Sequence, residues 1–384
     1  MSKTLIFFGG TFDPPHSEHI NMLKSAAEEL KPDKIIVMPT FIPPHKETLS
    51  LASASDRYEM CRLAFKDIKN AEISDYEIKR EGKSYSYLTV EYLKEKYSDY
   101  DILFLMGTDM MKSFGKWKNP REILKNCSPL LCARDGEGET AGTTIENFGN
   151  EFGIKPLSVS YRGKEISSTE FKIRYMLSCD VSGLVSDRVL DYIKEKGLYK
   201  SDKYFDYIKR NLKQSRIEHT AGVVLYALKH CGYYNLNKKQ TLLAALLHDA
   251  AKYKKAEDYP DFKLSESVPE PVVHQYLGAY IAEKELGITD EEVLDAIRYH
   301  TSGKANMSPL GKLIFTADML ENGRTFDGVE NLRKIADEDF ENGFLKAIEK
   351  SYEFVVNSGK PVYGKTEEAI KYYGGIVNGC KTKS

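Results

Sequence analysis

The sequence predicts two domains of different class: an α/β domain with a doubly wound, Rossmann-like parallel sheet over residues 1–199, and an all-α domain over 204–384. Three observations carry this. Short apolar runs alternate with amphipathic stretches up to about residue 198, such runs cease after about 203, and 384 residues exceed what one hydrophobic core ordinarily organises.

In the first domain, TLIFF (4–8), KIIVM (34–38), DILFLM (101–106) and SPLLCA (128–133) are short, apolar and bounded by Gly, Pro or Asp. That is the pattern of strands buried on both faces of a parallel sheet. Between them, HINMLKSAAEEL sets Ile20, Leu23, Ala27 and Leu30 at helical spacing, and YLTVEYLKEKY sets Leu88, Tyr92 and Leu93 on one side. In the second domain TLLAALLHDAAK, VVHQYLGAYIAEKEL, EEVLDAIRYH and SPLGKLIFTADMLE follow one another as helical periods. No Gly/Ser-rich linker marks the boundary near 198–204, which predicts domains in contact or joined by a short stiff connector. The tail CKTKS is predicted to fray.

Composition excludes several function classes. Lys and Arg total 55 against 57 Asp and Glu, so the charge of −2 offers neither a nucleic-acid footprint nor a polybasic membrane anchor. The six cysteines (Cys61, Cys127, Cys132, Cys179, Cys231, Cys380) form no CxxC pair and read as reduced thiols. No apolar run approaches the ~18 residues of a membrane span, and the N-terminus has no signal-peptide layout. The expectation is a soluble cytoplasmic protein without nucleic-acid or membrane partners, with homo-oligomerisation left open.

The stretch GGTFDPPHSEH falls between the first strand and the first helix, where an α/β fold presents backbone N–H groups to an anion. Gly9 and Gly10 allow a tight turn and close ligand approach. His16 and His19, three apart in the first helical turn, share a face and suit phosphate oxygens. Read alone, the pair favours a plainer reading, with His16 capping the helix and His19 an ordinary surface residue. Three further segments change that balance. PPHK brings Lys46 to the carboxyl end of the second strand, GTD (107–109) follows the third, and ISSTEFKIR offers Ser168 as a helix N-cap with Arg174 able to take a phosphate.

Together, GGTFDPPHxxH, PPHK, GTD with a downstream Trp, ISSTxxxIR and LVSDRVLDYIKEKGLY resemble bacterial nicotinate mononucleotide adenylyltransferase, of the nucleotidyltransferase superfamily, over roughly 1–199. The resemblance implies transfer of AMP from ATP, with Mg²⁺, to nicotinate mononucleotide. It makes His16, His19, Lys46 and Arg174 the catalytic and triphosphate-holding residues, places Gly107 and Asp109 on the adenylate side, and gives Ser168 and Thr169 to the phosphates. Gly9, Gly10, Thr11, Phe12, Arg134 and Ser167 join the implied substrate site, and Tyr85 and Trp117 fall where the family meets the pyridine ring. One departure stands out. The family's HxGH has Glu18 in its third place here, adding bulk and negative charge beside an anionic ligand unless the side chain turns outward.

In the second domain, Arg216-x-x-His219 opens a helix, LLHDAAK holds His248 and Asp249, and His274, His300 and Asp318 lie in VVHQY, IRYHTSG and FTADMLENGR. An adjacent His and Asp inside an apolar helix would cost several kcal/mol if buried without partners. A metal supplies the partner, and six N/O donors favour two metals clamping a phosphate. Lys252, Glu321 and Arg324, within one or two turns of these residues, can add phosphate or supporting contacts. His45 and His230 read as ordinary surface or core histidines.

The region 205–378 resembles the HD-domain hydrolases, and more narrowly the symmetrical dinucleoside tetraphosphatases, through RxxH, LLHDxAK, YHTSG, MSPLGKLIFTADxxExxR and NLRKIADEDF. That resemblance implies hydrolysis of diadenosine tetraphosphate to two ADP at a di-iron centre held by His219, His248, Asp249, His274, His300 and Asp318, with Asp249 also catalytic. The family's HA reads His274-Gln275 here. Two alternatives stay open: a chain in which only the hydrolase turns over and the N-terminal domain senses nucleotides, and an HD domain acting on other nucleotides.

Overall fold

The computed structural model describes residues 3–42, 51–134, 138–264, 267–359 and 361–381. It divides into two compact units, the first Met1–Lys172 with Val181–Tyr199, the second Ile173–Asp180 with Lys200–Ser384.

The first unit is built on six parallel strands, β1 (Lys3–Gly10), β2 (Lys34–Pro39), β3 (Ala71–Ile73), β4 (Tyr100–Met106), β5 (Ser128–Arg134) and β6 (Leu157–Tyr161), in the order β3-β2-β1-β4-β5-β6. The chain reverses its direction of travel between β1 and β4, which puts a crevice beyond their carboxyl ends. Alternate residues face opposite sides. Phe7, Ile36, Phe104 and Leu131 pack on one face with Phe114 and Phe148, and Ile6, Val37, Leu105 and Leu130 pack on the other with Leu23 and Phe65.

The four central strands match the sequence expectation, whereas β3 and β6 were not foreseen. Both lie at sheet edges, where burial on both faces is lost: Leu157–Tyr161 alternates exposed and buried residues, and Ala71–Ile73 carries no fully buried side chain. Of the stripe expected in the helix Ser17–Leu30, Leu23 is buried and Ile20, Ala27 and Leu30 pack half-buried against the same core, with Ala26 buried beside them. The helix Ser86–Lys96 instead buries Thr89, Val90 and Leu93, leaving Leu88 and Tyr92 half-buried.

Among its described residues the second unit has helices and connecting turns and no strand. Asp202, Asn237, Asp290, Ser308 and Asp339 each cap a helix by accepting backbone N–H bonds. Helices Gln214–His230, Lys238–Leu247, Glu270–Lys284, Glu291–Arg298 and Pro309–Leu320 surround the site described below. Cys61, Cys127, Cys132, Cys179 and Cys231 are buried free thiols. Among the described residues no helix is long and apolar enough to cross a membrane.

Candidate nucleotide site and candidate metal centre

In the first unit, β1 ends in Gly9 and Gly10 and the chain turns into the helix Ser17–Leu30. A Cβ on Gly9 would come within 2.8 Å of the Phe7 ring, and one on Gly10 within 3.0 Å of the Phe12 ring, so both glycines make room for aromatic packing. The left-handed conformation of this turn belongs to Phe12 (φ 49°), a buried aromatic residue, and marks local strain at the site. His16 and His19 stack with ring centroids 3.6 Å apart, and His19 Nδ1 accepts the His16 backbone N–H at 3.1 Å. With Nδ1 an acceptor, a neutral His19 carries its proton on Nε2. Phe12 packs against His19 at 5.0 Å.

This turn is fastened from behind by residues to which the sequence reading gave no role. Asp13 accepts from Lys172 Nζ (2.8 Å), Tyr199 Oη (2.7 Å) and the Ala52 amide (3.0 Å). Arg57, without exposed surface, donates to the carbonyls of Thr11, Thr40, Phe41 and Ala52. Sequence reasoning missed this network. Its one visible signal is a lysine, Lys172, between Phe171 and Ile173, all three buried.

Other expected residues distribute as follows. Ser167 Oγ accepts the Glu170 amide, so the helix cap falls one residue before the expected Ser168, whose hydroxyl instead donates to the Pro14 carbonyl at 2.9 Å. Thr169 is half-buried in the first turn of Ser168–Met176. Arg174 donates to the Asp180 carbonyl at 2.7 Å and to Glu218 Oε2 at 3.0 Å. Gly107 caps the short helix Thr108–Lys112, in which Asp109 is exposed. Trp117 lies half-buried against Phe114 and Phe104, while the neighbouring Lys118 sits 4.3 Å from the Tyr85 ring. Arg134 pairs in register with Tyr161 across β5 and β6. Lys46 and His45 lie outside the described residues. Glu18 does not turn outward: it is 4% exposed, accepts from Asn21 Nδ2 at 3.0 Å, and directs its buried Oε2, without a hydrogen-bond partner among the described residues, at Gly163.

The second unit brings all six expected donors, His219, His248, Asp249, His274, His300 and Asp318, into one cluster. Three rings are latched alike. His248, His274 and His300 direct Nδ1 at the carbonyls of Ala245, Pro271 and Ile297, each three residues earlier, at 2.7, 3.0 and 2.8 Å. An Nδ1–H spent on a carbonyl leaves the Nε2 lone pair for a cation. In His219 the same role falls to Glu321, 3.1 Å from Nδ1, while Nε2 lies 3.0 Å from Asp318 Oδ1.

Around Asp249, Arg216 Nη1 reaches Oδ2 at 2.9 Å and His274 Nε2 approaches Oδ1 at 3.2 Å. His274 Nε2 and His300 Nε2 face each other at 3.3 Å, with Lys252 Nζ 3.1 Å from His274 Nε2. Burial pushes the His274 imidazole down to about 4 and that of His248 below its ordinary value. Both rings are thus neutral at physiological pH. Burial alone would raise the Asp249 and Asp318 carboxyls, but facing histidines hold both well below the usual range. For His219 burial opposes the proton, and bonds to Asp318 and Glu321 outweigh it and raise the pKa.

The donor set fits a divalent metal. His248 Nε2 and Asp249 Oδ1 are buried without a hydrogen-bond partner. His219, His248 and Asp318 converge in one group and His248, Asp249 and His300 in a second, with the donor atoms of each within 4.8 Å of one another. Two groups sharing a residue suit a dinuclear centre, and all donors are N or O. His230 stands apart, between Asp337 and the Tyr226 carbonyl. Sequence reasoning did not foresee that Arg216 would hold Asp249.

Comparison with known proteins finds matches for both halves of the chain. Residues 7–174 match the Cytidylyltransferase-like family and residues 216–323 the HD domain, so a nucleotidyltransferase-type domain precedes an HD-type domain. A Mycoplasma genitalium protein called a probable nicotinate-nucleotide adenylyltransferase/Ap4A hydrolase is 28% identical over 356 residues, covering 90% of this chain and 97% of its own. A probable nicotinate-nucleotide adenylyltransferase of Clostridium tetani is 32% identical over 199 residues, 52% of this chain and all of its own. The symmetrical bis(5'-nucleosyl)-tetraphosphatase of Bacillus subtilis is 34% identical over 166 residues, 41% of this chain and 89% of its own. The chain belongs, in its N-terminal half, to the nicotinate-nucleotide adenylyltransferase family and, in its C-terminal half, to the HD-domain family of the symmetrical bis(5'-nucleosyl)-tetraphosphatases.

Proposed function

We propose that the chain is a bifunctional cytoplasmic enzyme: it joins AMP from ATP to nicotinate mononucleotide, releasing pyrophosphate, and it hydrolyses diadenosine tetraphosphate symmetrically to two ADP. The observation that supports this most is the coexistence of two phosphate-ready sites, a stacked His16–His19 pair at a helix N-terminus and a buried His/Asp cluster with inward-facing Nε2 atoms.

In the first reaction a phosphate oxygen of nicotinate mononucleotide attacks the α-phosphorus of ATP as the bond to the β-phosphate oxygen breaks. Little covalent chemistry falls to the protein, so positioning and charge stabilisation carry the rate. His16 and His19 offer donors to the phosphate oxygens, with Lys46 and Arg174 sharing the triphosphate and Mg²⁺ offsetting its charge. Arg174, bonded to Glu218, would have to exchange that partner for phosphate. Gly9, Gly10, Thr11, Phe12, Gly107, Asp109, Arg134, Ser167, Ser168 and Thr169 frame the nucleotide, and Tyr85 and Trp117 the pyridine.

In the second reaction water adds to a phosphorus of the tetraphosphate and the central anhydride breaks. His219, His248, Asp249, His274, His300 and Asp318 would hold two metal ions, iron being the assignment we favour. Ions held there would supply a lowered pKa for bound water and charge stabilisation of the phosphate oxygens. Arg216 keeps one Asp249 oxygen in place, Glu321 fixes the tautomer of His219, and Lys252 and Arg324 offer cations to the phosphates.

Two assays test the reading. Nicotinate adenine dinucleotide should form from ATP, Mg²⁺ and nicotinate mononucleotide, and be lost in His16→Ala/His19→Ala. ADP should form from diadenosine tetraphosphate with iron, and be lost in Asp249→Ala. A metal-loaded chain that makes neither product sinks it. Glu18 motivates one second reading, in which its buried carboxylate leaves the N-terminal domain a nucleotide sensor. Nucleotide binding without dinucleotide product would favour that one.

A further inference from the structure

Two of the six metal-site donors, His274 and His300, come from different segments of the chain, and their Nε2 atoms lie 3.3 Å apart. His274 is anchored inside the helix Glu270–Lys284. His300 is not: the helix Glu291–Arg298 has already ended, and His300 sits in a turn whose backbone leaves the helical ladder. A turn after a helix end frays unless its N–H groups find partners.

The partner is Gln275. Its side chain is fully buried, its Oε1 accepts the backbone N–H groups of both Thr301 and Ser302 at 3.1 Å, and its Nε2 donates to Ser302 Oγ at 2.8 Å. One amide thus makes three bonds to the two residues following His300. Because Gln275 directly follows His274, the same residue fixes the spacing between the two ligands. The clamp also brings Thr301 Oγ1 to 3.3 Å from His274 Nε2. Thr366 Oγ1 holds the Ser302 carbonyl from the other side.

We infer that Gln275 is a positioning residue for metal binding: by clamping the Thr301–Ser302 backbone it preforms the His274/His300 pair, so that the metal position served by this pair depends on it while the His219/His248/Asp318 position does not. This rests on the two-metal reading of the cluster.

Full-length wild type, Gln275→Leu, Gln275→Ala and Gln275→Glu are stripped of metal and titrated with Fe²⁺ anaerobically and with Mn²⁺, with bound metal counted and affinities taken by chelator competition. Gln275→Leu leaves two amides unpaired. Gln275→Ala admits water to them, and keeps the test alive if the leucine variant does not fold. Gln275→Glu can still accept both amides. Wild type is expected to bind two equivalents. The leucine and alanine variants should keep one at wild-type affinity and bind the other roughly 10- to 100-fold more weakly. Glutamate should restore it. In the metal-free state, amide exchange at Thr301 and Ser302 should quicken in the leucine and alanine variants.

Unchanged affinity for both equivalents in Gln275→Ala, or equal weakening of both, would overturn the inference; a purely structural role predicts lower melting with the affinities intact. A wild type binding fewer than two equivalents overturns it too, through the reading beneath it. Loss of turnover in a wild type that still binds two metals touches only the proposed substrate.

Discussion

Lys172 Nζ lies 2.8 Å from Asp13 Oδ2, with the two side chains 4% and 3% exposed. This pair ties the turn preceding His16 to the helix that Ser168 opens. Removing one partner strands a buried charge. Lys172→Met is expected to destabilise the first unit by about 3–5 kcal/mol. Denaturant unfolding, read as a lower midpoint at unchanged slope, measures it.

Tyr199 supplies a pH dependence. Burial, then the neighbouring Asp13, pushes its phenol far above the ordinary value. The folded state therefore keeps a proton that the unfolded chain releases near pH ~10. Stability from this group is complete below that pH and falls as pH rises above it. Tyr199→Phe should flatten the loss of stability between about pH 10 and 12. An equal slope in both proteins would refute the assignment.

Glu18 places a buried carboxylate two residues from His16 and next to His19. Removing it should favour an anionic ligand there. Glu18→Gly is expected to lower the KM for ATP roughly three- to tenfold, equivalent to ~0.6–1.4 kcal/mol, with kcat changed less. Steady-state kinetics over a range of ATP concentrations decides.

Metal should act on stability as well as turnover. His248 Nε2 and Asp249 Oδ1 lack hydrogen-bond partners among the described residues. An ion that binds only the folded state adds about 4 kcal/mol at free concentrations near 1,000 times Kd. Calorimetry with and without chelator should show the second unit melting lower when stripped, with that difference absent in Asp249→Ala.

What could be read from sequence follows the range of the interactions involved. The clustered donors were legible because a histidine or aspartate in an apolar helix is a local exception: LLHDAAK needs no partner in view to draw notice. Gln275 was not, since its partners lie 26 and 27 residues on, and a glutamine among VVHQY resembles any polar residue of a helix. Asp13 and Lys172 are 159 residues apart. Central strands announced themselves through burial on both faces, and the edge strand β6 did not, having only Val159 and Tyr161 buried. The left-handed conformation of Phe12 runs against local preference, with Gly10 only two residues away.

The three carbonyl latches on His248, His274 and His300 have a consequence for selectivity. They fix the orientation of nitrogen donors before any cargo arrives, so the socket is cast rather than moulded around its occupant. Hard ions such as Ca²⁺, which demand ~6–8 oxygens in a yielding cage, are poorly served by imidazoles that are not free to swing aside. Transition metals, content with nitrogen, gain what calcium loses.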